Sequence, residues 1–238
     1  MEEEAPTVTL ENPEEIFNKH SNNWYEVSTN YWEKQERNDN GMLGGFPEVS
    51  GMDVLSSRDL IEKYQKKGKL GNSKAADCGA GIGRVAYLCL SDFFKHIDLI
   101  DPVADFLAEA EKKLKDTVTY KSFVMGIQDW VPEDYYDCIW AQWSIMYLTD
   151  SDAISFLKRC RDHLSPKGMI FIKDNISSKD LTTKKELAQY FHEDNGICRT
   201  YIHYIELFAK SGLKVIETEK QSHYPPNLLP LYTFILSK

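Results

Sequence analysis

The stretch Asp77-Cys78-Gly79-Ala80-Gly81-Ile82-Gly83-Arg84, with the acid Asp101 closing the next apolar run, constrains this chain more than any other feature. Alternating glycines allow a sharp turn and a close approach of ligand to main chain. A carboxylate at the tip of the following strand holds ribose hydroxyls. The flanks supply the context such a loop needs. Residues 74–78 read as a strand entering it, residues 85–90 as the start of a helix leaving it, and residues 96–101 as a second strand ending on the acid. Strand, loop, helix and strand in that order open a parallel α/β sheet.

The spacing here is G-x-G-x-G with an acid two residues before the first glycine. It is not the G-x-G-x-x-G of dinucleotide sites, where the helix N-terminus receives a pyrophosphate. S-adenosylmethionine carries no phosphate, and its methionine end is a zwitterion. Asp77 suits the ammonium, and Arg84 with the loop N–H groups suits the carboxylate. A glycine cluster alone also makes ordinary tight turns; Asp101 is what favours a cofactor.

At 238 residues, 42% of them hydrophobic, the chain is large enough to bury one full α/β core. Residues 1–12 are acidic and without apolar periodicity, and are expected to be disordered. The rest reads as a single domain, with an N-terminal helical substrate or lid element over 13–67 and a cofactor-binding core over 74–238. Within the first part, 14–36 predicts one or two aromatic-rich helices stopped by Asn38-Asp39-Asn40-Gly41, then a mobile apolar loop over 41–46. A helix follows over 53–67, with Asp53 as its cap and Leu55, Leu60, Ile61 and Tyr64 on its inner side. Further strands are expected at 118–125, 135–141, 169–173, 213–218 and 231–236, helices at 150–163 and 199–211, and a turn at 165–168. The expected fold is an open, mostly parallel seven-stranded sheet with helices on both faces and ligands beyond the strand C-termini.

A net charge of -9 repels phosphate backbones and favours a basic peptide over nucleic acid as a charged partner. Lys63, Lys66, Lys67 and Lys69 read as a solvated face. No secretory segment follows Met1 and no apolar run approaches membrane-spanning length. A soluble monomer of the cytoplasm, the nucleus or both is expected. The five cysteines form no C-x-x-C pair and the six histidines stand isolated, so neither a metal site nor a disulfide framework is expected. After the fourth strand, Gln142-Trp143-Ser144-Ile145 replaces the Asn/Asp-Pro-Pro-aromatic element of enzymes that methylate base amines.

Three more segments fall at strand C-termini. Gly126-Ile127-Gln128-Asp129 reads either as an adenine-contacting turn or as an ordinary polar loop; Ala141-Gln142-Trp143 and Lys173-Asp174-Asn175 end the next two strands. The sulfonium of the cofactor is already activated, so a protein that uses it mainly aligns nucleophile, methyl and sulfur, and leaves the nucleophile deprotonated.

The set Tyr31-Trp32, Gly41-Met42-Leu43-Gly44-Gly45, Asp77 to Arg84, Ile139-Trp140-Ala141-Gln142-Trp143 and Lys173-Asp174-Asn175 resembles the alpha-N-terminal protein methyltransferases. Enzymes of that family methylate the free amino terminus of proteins that begin Xaa-Pro-Lys once Met is removed. The resemblance runs from about Tyr31 to the C-terminus and implies a Rossmann-like class I methyltransferase fold. It implies S-adenosylmethionine contacts at Gly79, Arg84, Asp101, Pro102, Val103, Ile127, Gln128 and Gln142. It further implies a peptide channel walled by Trp32, Leu43, Trp143 and Asn175, with Asp194 helping to deprotonate the amine and to bind the basic third residue.

An α-amino group has a pKa near 8, against roughly 10.4 for lysine, so one carboxylate such as Asp194, directly or through water, suffices as proton acceptor. Asn175 would hold the amine. Trp32 and Trp143 would face a proline ring or the cation, or would simply pack in the core. The chain departs from the family pattern at three positions of the peptide site. Phe191 stands where a second acid is common, Tyr147 where a histidine is usual after the Gln-Trp pair, and Leu229 where a tyrosine is found. Tyr147 is retained as a substrate-side residue because its hydroxyl can orient a water. Two other readings stay open: methylation of a small-molecule amine or carboxylate on the same fold, and a peptide-binding module that keeps the cofactor without turnover.

Overall fold

A computed structural model of the chain describes residues 8–10, 12–177 and 187–238. The N-terminal part comprises β1 (Val8–Leu10), α1 (Glu14–Lys19), α2 (Trp24–Glu33), the single turn α3 (Asp39–Met42) and α4 (Ser50–Lys66). The core opens with β2 (Lys74–Cys78), α5 (Arg84–Leu88), β3 (His96–Asp101), α6 (Ala104–Leu114) and β4 (Thr119–Val124). It continues through β5 (Tyr136–Gln142), α7 (Asp150–Asp162), β6 (Leu164–Asn175), β7 (Ala188–Phe191) and β8 (Gly196–Cys198). α8 (Tyr201–Lys210), β9 (Lys214–Lys220) and β10 (Leu231–Ser237) complete it.

Seven strands form one sheet in the order β4-β3-β2-β5-β6-β10-β9. The first five run parallel, and β10 inserts antiparallel between β6 and β9. Alternation along the central strands divides the core between two faces, because successive side chains of a strand point oppositely. Ala76, Cys78, Ile139, Ala141, Ile170 and Ile172 pack with Phe156 and Leu157 of α7 and Leu207 and Phe208 of α8. Their neighbours Ala75, Cys138, Trp140 and Phe171 pack with Leu60, Ile61 and Tyr64 of α4 and Leu107 and Ala110 of α6. Every residue of β5 is buried, as expected of a central strand covered on both faces. The chain winds from β2 outward to β4, then returns to place β5 on the other side of β2. The crevice at that reversal, beyond the C-terminal tips of β2 and β5, is where this architecture binds ligands.

Several expectations need correction. Residues 8–10 are not disordered: they pair antiparallel with β7, which pairs with β8, in a separate three-stranded sheet. Residues 1–7 and 11 of the expected disordered segment lie outside the described residues. This small sheet buries Phe17 and Trp24 with Ala188, Tyr190 and Ile197, a satellite core whose strands are too short for sequence periodicity to reveal. Leu55 is 60% exposed, because the buried stripe of α4 is Asp53, Val54, Ser57, Leu60, Ile61 and Tyr64 and Leu55 faces away from it. Asp53 is not a cap; α4 begins at Ser50 without a side-chain cap, and the carboxylate points inward. In the loop over 41–46, Asn38 caps the preceding α3 through Gly41 N–H, and Gly44 and Gly45 take the positive φ that closes the next turn. The turn expected at 165–168 lies within β6, absorbed where its register on β5 shifts between Tyr136 and Cys138. No helix among the described residues is long and apolar enough to cross a membrane, and no group of three metal-ligating acids, histidines or cysteines occurs there.

Candidate active site

The loop after β2 forms the floor of a cleft. Gly79 has φ 80°, and an added Cβ would lie 2.6 Å from Cβ of Ser144; Gly83, at φ 72°, would meet Cβ of Ala110 at 2.6 Å. Both positions therefore require glycine on two counts, a left-handed backbone and no room for a side chain. The loop is tied to the neighbouring strand, since Gly79 and Ala80 N–H both donate to the Ile100 carbonyl.

Asp101, at the tip of β3, accepts from Gly81 N–H and Val103 N–H at 2.9 Å each, one bond per oxygen. Burial pushes its pKa up to about 6, against the pull of those two donors. Each oxygen keeps capacity for a further donor, the requirement for a ribose diol. Asp77 lines the same cleft, accepts from Ala86 N–H at 3.1 Å, and is pushed up to about 7 by burial, with Asp101 adding and Arg84 opposing. Pro102, Ile127 and Gln128 also line the cleft. The carbonyls of Ile127 and Gln128 are held by Arg159 from α7. Val103 does not line it: its side chain is buried beneath Asp101 with Ile82 and Phe106, and its N–H is engaged by the acid.

Gln142 borders the cleft, but its amide donates to both oxygens of Asp53 at 2.9 Å. Asp53 is fully buried and also meets Arg84 at 2.7 Å and Lys173 at 2.6 Å. Burial alone would raise its pKa; the charges of Lys173 and Arg84 outweigh that and hold it below the ordinary carboxylate range. The signal for Asp53 was a carboxylate at a position of the apolar stripe of α4, where a capping role was the simpler reading. Among the described residues, Arg84 Nη1 is a buried donor without a partner, on a residue that lines this cleft. A zwitterionic amino-acid tail matches an orphaned guanidinium nitrogen beside the Asp77 carboxylate, so these residues fit S-adenosylmethionine.

A second cleft adjoins the first. Trp32, Met42, Trp143 and Tyr147 line both. Its remaining walls include Leu43, Phe46, Asn175, Phe191, Asp194, Tyr224 and Leu229. The sequence-predicted residues Trp32, Leu43, Trp143, Tyr147, Asn175 and Asp194 thus come together here. Trp143 adopts φ 51°, a conformation costly for a bulky residue and frequent at functional sites. Its indole N–H points to Asn175 Oδ1 at 3.4 Å, and the Arg84 guanidinium lies 5.6 Å from its ring centre. Of the Lys173-Asp174-Asn175 run, only Asn175 borders the cleft. Lys173 turns toward α4, and Asp174 is buried on Tyr204 OH.

Asp194 sits in the turn between β7 and β8. Its Oδ1 accepts from Gly196 N–H at 2.8 Å and its Oδ2 from Tyr147 OH at 2.9 Å. Burial raises its pKa, these two donors oppose that, and Glu193 adds to the rise. Tyr147 is itself held firmly. Trp24 Nε1 donates to its carbonyl at 2.7 Å, and the buried Arg199 donates to the carbonyls of Ile145 and Leu148 on either side. The Trp32 ring meets the Tyr147 ring edge-on at 6.0 Å. The sequence did not single out Tyr25, which lines the first cleft and donates to Asp152, or Tyr224, which lines the second.

Comparison with known proteins agrees with this geometry. Residues 20–237 match the family model described as AdoMet dependent proline di-methyltransferase. The chain is 38% identical to alpha N-terminal protein methyltransferase 1 of Dictyostelium discoideum over 93% of this chain and 82% of that protein. It is 35% identical to the human N-terminal Xaa-Pro-Lys N-methyltransferase 1 over 90% of this chain and 95% of that protein. Among solved structures, a SAM-dependent methyltransferase from Leishmania major superposes with a TM-score of 0.83 at 31% identity, covering 95% of this chain and 91% of the other. The chain belongs to the AdoMet-dependent proline di-methyltransferase family, as a methyltransferase of Rossmann-like class I fold that uses S-adenosylmethionine.

Proposed function

We propose that this protein methylates the free α-amino group of protein N-termini of the Xaa-Pro-Lys type. The observation that carries the reading is the joining of the two clefts at Trp32, Met42, Trp143 and Tyr147, with a half-buried carboxylate, Asp194, lining the second. The names of the human and Dictyostelium relatives support the same substrate class. When bound, S-adenosylmethionine supplies an activated methyl group. The protein contributes position and proton management. Trp32 and Trp143 wall a slot suited to a proline ring, and an uncharged amine beside Asn175 would point back toward the first cleft. Asp194, with its anion braced by Gly196 N–H and Tyr147 OH, accepts the ammonium proton directly or through water. Its raised pKa brings it closer to that of an α-amino group, which makes the transfer less uphill. The exposed Glu193 beside it offers a second negative charge to a basic third residue, where Phe191 offers none.

The test is mass spectrometry of an Xaa-Pro-Lys peptide incubated with the protein and S-adenosylmethionine, beside an N-acetylated control. Gain in one-methyl steps on the free peptide alone establishes α-amino transfer and counts the methyl groups. No gain, with cofactor binding demonstrated separately, rejects this substrate class.

A further inference from the structure

A buried ionic cluster joins helix α4 to the cofactor cleft. Asp53 of α4 is 0% exposed, Lys173 of β6 is 0% exposed, and Arg84 at the start of α5 is 6% exposed. Lys173 directs its ammonium wholly toward α4, reaching Asp53 Oδ1, the Asp53 carbonyl and the hydroxyls of Ser56 and Ser57 within 3.0 Å. Gln142 bridges both Asp53 oxygens while accepting from Trp140 Nε1. Asp53 Oδ2 takes Arg84 Nη2 at 2.7 Å. The named polar atoms are thus satisfied, while Nη1 of the same guanidinium, on a residue that lines the cleft, has no partner.

Two further features indicate what this arrangement is for. Within the cluster two cations share one carboxylate. Asp77 lies near enough to feel the Arg84 charge but makes no ion pair with it among the described residues, so the second cation lacks a paired anion of its own in a region from which water is largely excluded. Leaving a charge so placed is costly unless an anion completes the site. In addition, a guanidinium is a rigid planar fork, so fixing one nitrogen fixes the direction of the others. We propose that Asp53 is a positioning residue: it clamps one arm of Arg84 so that the other is aimed, already oriented, at the carboxylate of the S-adenosylmethionine tail. The N-terminal extension, through α4, therefore takes part in cofactor recognition as well as covering the core. The inference concerns the cofactor alone and stands whichever substrate the second cleft accepts.

The test compares two ligands by titration calorimetry: S-adenosylhomocysteine, and its decarboxylated analogue, which keeps the amine and adenosine and lacks only the carboxylate. The wild type should prefer the carboxylate-bearing ligand. Asp53→Asn should reduce that preference by tenfold or more, with the analogue's affinity changed less than about threefold. Because Asp53→Asn leaves two buried cations without their shared anion and keeps an amide oxygen that can still accept from Arg84, Asp53→Leu combined with Lys173→Met is the second variant. It removes an anion and a cation together, preserves the net charge of the cluster and frees Arg84 from its clamp. The proposal expects the preference to be lost here too, in a protein whose thermal melt shows it folded. If the double variant keeps the preference, charge alone suffices and the proposal is overturned. If either variant weakens both ligands alike, Asp53 only supports the fold, and the proposal is equally overturned.

Discussion

Lowering the pH should weaken cofactor binding while it favours the folded state of the free protein at the same residue. Asp77 titrates near 7 in the free protein because it is buried, and Asp101 near 6 for the same reason. Bound ligand needs both as anions. Asp77 must face an ammonium, and Asp101 must accept from hydroxyls while already accepting from two N–H groups. Below those pKa values a proton must leave before binding, and affinity falls about tenfold per pH unit for each protonated group. With the two values taken as independent, the dissociation constant for S-adenosylhomocysteine rises about 20-fold from pH 8 to pH 6. Binding near pH 6.5 should release about one proton, read from calorimetric enthalpies in buffers of different ionisation heat. Asp77→Asn should leave only the roughly twofold dependence due to Asp101. For folding the sign reverses. A carboxylate whose folded pKa lies above its unfolded value binds more protons when folded, so its stabilisation is full at low pH and is lost as pH rises from about 4 to 7. The Asp77→Asn apoprotein should therefore gain in Tm relative to wild type as pH rises from 5 to 8. A dissociation constant flat between pH 6 and 8, or proton uptake on binding, would refute the assignment of Asp77 to the cofactor ammonium.

Asp194→Asn should lower kcat by about 100-fold or more, the usual worth of a positioned proton acceptor, with S-adenosylhomocysteine affinity unchanged within about twofold. Equal kcat would remove its role. Gly83→Ala forces a left-handed backbone on alanine and a contact at 2.6 Å with Cβ of Ala110; a loss of about 2–4 kcal/mol is expected, seen as a Tm drop of roughly 5–15 °C. Arg199→Met strips the half-buried Asp150 of a cation and the buried Ile145 and Leu148 carbonyls of their donors, and should cost about 3–5 kcal/mol in denaturant titration. In that variant the loss of kcat/KM should exceed the loss of cofactor affinity, because the tether acts on the loop that carries Tyr147.

Local chemistry made the cofactor side legible in advance. The glycine loop, the acid at the tip of the next strand and the fully apolar central strands are each dictated by residues near one another in the chain. The alternation that separates Ala75 from Ala76 and Trp140 from Ala141 likewise assigns helices to both faces before any contact is known. The peptide-side residues were legible only through resemblance to a family. Trp32, Asn175 and Asp194 lie far apart in sequence, and nothing in their local pattern requires them to meet.

Tertiary structure alone decided three things. Strand β1 and its partners are too short to carry periodicity, and they form because the apolar faces of α1 and α2 need a cover. The brace on Asp194 depends on Tyr147, which the sequence marked as a departure and kept on the substrate side without pairing it to Asp194, and on the tethers from Trp24 and Arg199 that hold its loop. Asp53 read from sequence as a helix cap, because an acid near a helix start ordinarily caps it. It is instead the anion of a buried cluster drawn from four separate segments of the chain. Sequence determines what each stretch of backbone prefers locally. Which distant charges must share one dry pocket, and so which of them points at a ligand, is settled only when packing removes the water between them.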